Sequence, residues 1–240
     1  MVVILTFIVV LAGFAGWWLL RQGIASKPWL EVGVAGDADW TAPPPRPTVK
    51  IGLAAFLVVA GSLFALLISA YFMRMGMADW RPLPMPTVLW FSTGLLALSS
   101  LALQTTVAAA RRAELDGIRS GLLATGVSAL AFLAGQLLAW RELANAGYFA
   151  ASNPAGAFFG LVTAIHGLHM LGGLVALWRI TARAFAIPMD SGPQAVGRLR
   201  LGVELCATYW HFLLLVWLVL FSLLMRWTDE LIEICRGLLT

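Results

Sequence analysis

The sequence predicts an all-α integral membrane protein with six transmembrane helices: one N-terminal helix and, after a linker, a bundle of five. Six stretches, roughly residues 1–20, 51–73, 87–110, 120–140, 154–178 and 201–225, are each long enough to cross a bilayer and together hold one formally charged side chain, Glu204. At about 1.5 Å per residue, twenty helical residues span the ~30 Å hydrocarbon layer. A soluble helix of that length keeps a polar face, and none of the six has one. The composition points the same way, with 60% apolar and 12% charged residues and a mean hydropathy of +0.87. A soluble globule needs about twice that charge to cover its surface.

Taken in order, residues 1–20 lack a basic leading region, and Trp17-Trp18 is a poor cleavage site, so the segment reads as a retained helix and not a secretory signal. Residues 21–50 form a linker with Gly33, Gly36 and the run Pro43-Pro44-Pro45-Arg46-Pro47, which favours extended backbone. The five-helix bundle occupies 51–226. Within it Pro82, Pro84 and Pro86 break the second connection, and Asn153-Pro154 reads as a cap followed by proline at the first helical position. Trp29, Trp40, Trp80 and Trp90 lie near span ends, where an amphipathic indole favours the headgroup region. Residues 227–240 form a tail.

Charge sets the expected orientation. The first, third and fifth loops carry eleven basic residues: Arg21, Lys27, Arg46, Lys50, Arg111, Arg112, Arg119, Arg179, Arg183, Arg198 and Arg200. The opposite side has five: Arg74, Arg81, Arg141, Arg226 and Arg236. Cationic loops stay in the cytoplasm, which makes the 21–50 linker cytoplasmic and puts both termini and the tail in the periplasm of a bacterial inner membrane. The net charge of +4 is spread over loops and forms no basic face, so nucleic acid is not an expected partner. Cys206 and Cys235 form no CxxC and support neither a metal site nor a disulfide.

Two stripes of small and polar residues mark packing faces. Gly156, Gly160, Thr163 and Gly167 run down the fifth span and are expected to let another helix approach closely. Ser92, Ser99 and Thr106 recur every seven residues in the third span. A substrate groove is the alternative for either stripe. Ionisable groups inside spans are the candidate sites: His166 and His169, three apart on one helix, and His211, seven residues after Glu204. Polar glue between helices is favoured over a redox metal as their role.

The order of residues is more specific. Phe158-Phe159, Thr163, His166-Gly167-Leu168-His169 and Gly172-Gly173 on one helix, then Glu204 and Tyr209-Trp210-His211-Phe212 on the last, resemble subunit III of the haem-copper cytochrome oxidases. Leu98-Ser99-Ser100 and Gly135-Gln136 add to the resemblance, which covers residues 50–226. Long members of that family have seven helices, a pair and a bundle of five with a lipid-filled cleft between, and this chain looks like the five plus one helix of the pair. The resemblance implies a subunit with no haem, metal or active site of its own. Such a subunit holds structural phospholipids beside oxidase subunits I and II, whose haem and copper do the chemistry, and it supports their stability and proton uptake. Cytochrome c is then an indirect partner. Gln136, His166, His169, Glu204, Trp210 and His211 become the expected lipid or interhelix contacts. Two departures stand out: the family's buried acid in F-L-x-S-E is replaced in Phe56-Leu57-Val58-Val59-Ala60, and the acid often found three residues after the last histidine is Leu214.

Other readings are an accessory subunit of a nitric oxide reductase, a small proton-linked transporter relaying through Glu204, His211, His166 and His169, and a membrane haem protein with axial histidines. Transporters show broken helices and repeated halves, and neither is evident in this sequence.

Overall fold

In the computed structural model, residues 48–148, 153–188 and 193–225 are described, together with the isolated Gly13. The expected first helix at 1–20, most of the linker and the 227–240 tail lie outside them. Five helices follow in order: α1 Thr48–Met75, α2 Val88–Arg111, α3 Leu115–Asn145, α4 Pro154–Ala186 and α5 Pro193–Leu224. All five are long and apolar enough to cross a membrane. They also run past the charge-free windows. The fourth and fifth spans were expected at 120–140 and 154–178, but α3 and α4 have 31 and 33 residues, and α5 begins at Pro193. The extra turns carry Asp116, Arg119, Arg179, Arg183 and Arg200, long or polar side chains that can reach the headgroup layer from a helix end.

Two compact units, residues 1–65 and 66–240, divide the chain within α1. Of the first, α1 up to Ala65 is described; Ala60 lies in it and is buried. In the second, α2 packs against α3 and α5, and α4 packs against the same two, closing a four-helix ring. Leu89, Leu96 and Leu103, spaced by sevens on α2, are fully buried in it, as are Phe132, Met170 and Trp217. Near the start of α4, Tyr71 of α1 meets the rings of Trp80 and Phe158 edge-on at 5.0 and 5.9 Å.

The connections follow cap chemistry. After α2, Glu114 N–H reaches Ala109 O and Ala113 N–H reaches Ala110 O, with Ala113 in the left-handed region at φ 57°. After α3 the same motif recurs: Tyr148 N–H to Leu143 O, Gly147 N–H to Ala144 O, Gly147 at φ 83°. The Asn153-Pro154 cap forms as expected, the Asn153 side chain accepting from Ala155 N–H at 3.1 Å and donating to Arg81 O at 2.9 Å. At the other end of α4, Arg119 donates from Nε to Ala184 O and from Nη2 to Ile187 O at 3.1 and 2.7 Å, occupying carbonyls that the helix leaves open. In the exposed turns, hydrogen bonds from Arg74 and Arg112 hold the carboxyls of Asp79 and Glu114 below the usual carboxylate range.

One packing expectation is corrected. At Gly160 and Gly167 the stripe does not bring a helix close: a Cβ on Gly160 would meet nothing within 4 Å, and one on Gly167 only a Leu133 methyl at 3.8 Å. The tight α4–α5 crossing lies beyond it, at Gly173, where a Cβ would sit 2.8 Å from the Tyr209 ring and 3.0 Å from Trp210. The bulk of those two aromatics sets where the helices can cross, and a glycine is needed opposite them, not wherever glycines happen to align.

Candidate functional site: polar seams between the helices

The α2 heptad of Ser92, Ser99 and Thr106 is fully internal and forms a seam with α3. Glycines face it. A Cβ on Gly121 would lie 2.0 Å from Thr106 Oγ1, and one on Gly135 would lie 2.9 Å from Ser92 Cβ. With backbones this close, short hydroxyls can reach across: Ser99 Oγ donates to Thr125 O at 3.0 Å, and Gln136 Nε2 donates to Ser92 Oγ at 3.1 Å. The buried Gln136 Oε1 has no partner among the described residues. Ser99 also accepts from Trp210 Nε1 at 2.8 Å, tying α5 to the same point. Packing, not a groove, is what this stripe does.

His166 is completely buried in the ring of helices. Its Nε2 donates to Leu213 O of α5 at 3.1 Å, and its ring packs beside both Phe132 and Trp217, with centroids 5.7 and 5.1 Å away, while those two rings meet each other edge-on at 5.1 Å. Trp217 donates in turn to Thr93 Oγ1 at 2.9 Å, which reaches α2. His169, three residues on, donates from Nδ1 to Ile165 O of its own helix at 2.8 Å, while Tyr209 of α5 donates to the His169 carbonyl at 2.8 Å. The two imidazoles thus turn different nitrogens to different carbonyls. Among the described residues no group of three or more His, Cys, Asp or Glu side chains could hold a metal ion.

Glu204 and His211 are not brought together. Glu204 pairs with Arg200 at 3.0 Å and Arg111 at 3.6 Å, near the charged ends of α5 and α2. His211 bonds to α2 instead, Nδ1 lying 2.6 Å from Ser100 Oγ and Nε2 3.0 Å from Gln104 Oε1. An amide oxygen only accepts, so Nε2 carries the proton and Ser100 donates to Nδ1. Among the described residues, the hydrogen bonds of these four groups go to different partners.

Sequence reasoning missed Gln104, Trp217 and the Trp140 bond to Thr163, 2.9 Å long. Gln104 had a signal: it stands four residues after Ser100, a polar pair on one helix face inside an otherwise apolar span.

Fold and seams together define a multi-pass helical membrane protein in which several in-span polar groups, Ser99, Gln136, His166, Trp210 and His211 among them, join helix to helix. The sequence profile of the family described as Cytochrome c oxidase subunit III matches residues 2–229, reaching well before α1. Among relatives, the probable cytochrome c oxidase subunit 3 of Mycobacterium tuberculosis (strain ATCC 25618 / H37Rv) is 31% identical over 181 residues, 73% of this chain and 86% of its own length. Cytochrome c oxidase subunit 3 of Thermostichus vulcanus is 29% identical over 181 residues, 72% and 85% of the two chains. That of Synechocystis sp. (strain ATCC 27184 / PCC 6803 / Kazusa) is 30% identical over 178 residues, 72% of each. The chain belongs to the cytochrome c oxidase subunit III family.

Proposed function

We propose that this chain is the non-catalytic, lipid-holding subunit of an aerobic respiratory terminal oxidase, sustaining the stability and proton uptake of the catalytic subunit beside it. The observation that carries this reading is the use made of the family's own motif residues. His166, His169, Trp210 and His211, the groups best suited to chemistry, are bonded to carbonyls and hydroxyls of α2, α4 and α5. A part built this way stiffens a surface and leaves electron transfer to haem and copper in subunits I and II. Gln136, Glu204 and the same four residues act as interhelix or lipid contacts, and structural phospholipids are the ligands held in this chain.

Residues 1–20 form a sixth transmembrane helix, the cytoplasmic linker 21–50 joins it to the bundle of 51–226, and residues 227–240 form a periplasmic tail. Both termini lie in the periplasm of a bacterial inner membrane, on the support of the eleven to five asymmetry of basic residues between the two sets of loops. Ala60 and Leu214 stand where the family often has acids, so the support of proton uptake comes through packing and lipid, not through carboxylates at those places. Purification of the tagged chain from its native membrane tests the assignment: haem- and copper-bearing oxidase subunits should accompany it with their optical spectrum. A chain that purifies without them, or that carries a haem band alone, overturns it.

A further inference from the structure

The outer faces of a helix bundle in a bilayer meet lipid, which cannot satisfy hydrogen-bonding groups. α4 presents such a face, with Leu161, Leu168, Leu171, Val175 and Trp178 all exposed and apolar. The side formed by α2 and α5 is different. Gln104 and His211 are both exposed there, joined to each other and anchored through Ser100. At about 1.5 Å per residue, Gln104 lies about 10 Å from the Arg111 end of α2, and His211 about 16 Å from Arg200 along α5, well within the hydrocarbon layer. Other exposed polar side chains inside the described spans, Ser62, Thr105 and Ser120, donate to carbonyls of their own helices. Gln104 cannot do the same with its whole amide. Its oxygen accepts from His211, and its two N–H donors have no partner among the described residues. Toward the charged end of this side, Arg111 and Arg200 share the one carboxylate of Glu204 and remain largely exposed, leaving one positive charge in excess.

We propose that the α2–α5 face around Gln104 and His211 docks against a transmembrane helix of the haem-bearing subunit that brings a hydrogen-bond acceptor to the Gln104 amide and a carboxylate to the Arg111 and Arg200 end. This rests on the reading of the chain as an oxidase subunit. Lipid covers the apolar α4 face, and the partner covers the polar one. Leu101, 61% exposed and one turn before Gln104, is a place to probe the contact without removing it.

The test is photo-crosslinking in native membranes, with p-benzoylphenylalanine at Leu101 and, as control, at Val175 of α4. The expected result is a light-dependent adduct between position 101 and the haem-bearing subunit that position 175 does not give. Adducts at 101 to lipid only, to a second copy of this chain, or no stronger than at 175 overturn the proposal. Gln104→Leu should weaken retention of the partner roughly three- to tenfold, the effect expected for one hydrogen bond between membrane helices, and more than His211→Leu, which removes the same α2–α5 bond but leaves the Gln104 amide in place. If the tagged chain retains the haem-bearing subunit while position 101 fails to reach it, the face is wrong and the subunit reading stands. If no haem-bearing subunit is retained, both fall.

Discussion

At Gly121 one methyl group decides whether α2 and α3 can touch, since a Cβ there would overlap Thr106 Oγ1 at 2.0 Å. Gly121→Ala should cost roughly 1–3 kcal/mol, as overpacking does, and lower the melting temperature in detergent. Adding Thr106→Ala should recover most of the loss, whereas Gly160→Ala, which meets open space inside a helix, should not lower melting and should raise it slightly. The two histidines of the HxxH pair should also separate. His166→Ala removes a buried ring and its bond to Leu213 O, a loss of about 2–3 kcal/mol, while His169→Ala removes a bond within one helix and should cost less. Neither should change the haem or copper of the purified complex; loss of a haem band with either would return the histidines to the metal chemistry. The heptad of Ser92, Ser99 and Thr106 was readable because a seven-residue repeat on one helix fixes a face. That it meets Gly121, Thr125, Gly135 and Gln136 was not, although Gln136 was itself an expected contact, because the relative register of two helices depends on shapes that neither carries alone.

The ends of α2 and α3 use one capping motif with different residues in the left-handed position, Ala113 and Gly147. An L side chain there costs about 1–2 kcal/mol. Ala113→Gly should therefore stabilise the bundle by up to about 1 kcal/mol, offset in part by the extra freedom of glycine in the unfolded chain, and Gly147→Ala should destabilise it by about 1 kcal/mol. Thermal melts of both variants check the pair, and a gain from Gly147→Ala would contradict the assignment. At this scale the sequence was informative about the middles of the helices and poor at their ends. A window without charge marks the hydrocarbon core, and so the five described spans stand where expected. The helices outlast those windows because Arg119, Arg183 and Arg200 extend along the helix surface toward water, so a charge does not end a membrane helix as proline or a left-handed cap does. The Asn153-Pro154 start was legible for the converse reason, its cap being made by adjacent residues.

For the whole molecule, the proposed six spans, with the cationic loops inside, predict both termini in the periplasm. An enzymatic reporter fused after Thr240 should be active only on that side, and cytoplasmic activity would remove the first span or reverse the topology. The complex is the larger test. Among the described residues no group of three or more His, Cys, Asp or Glu could hold a metal ion, and on the proposed reading catalytic subunits that still assemble should reduce oxygen without this chain. What they would lack is the surface made by α1 to α5 and the lipid held against it. The decisive measurement follows oxygen consumption over successive turnovers in complexes matched for haem content, with and without this subunit. Equal initial rates followed by faster loss of activity in the depleted complex are expected. A depleted complex inactive from the first turnover, or one that lasts as long as the intact complex, would contradict the claim that this chain protects a catalytic partner it does not chemically assist.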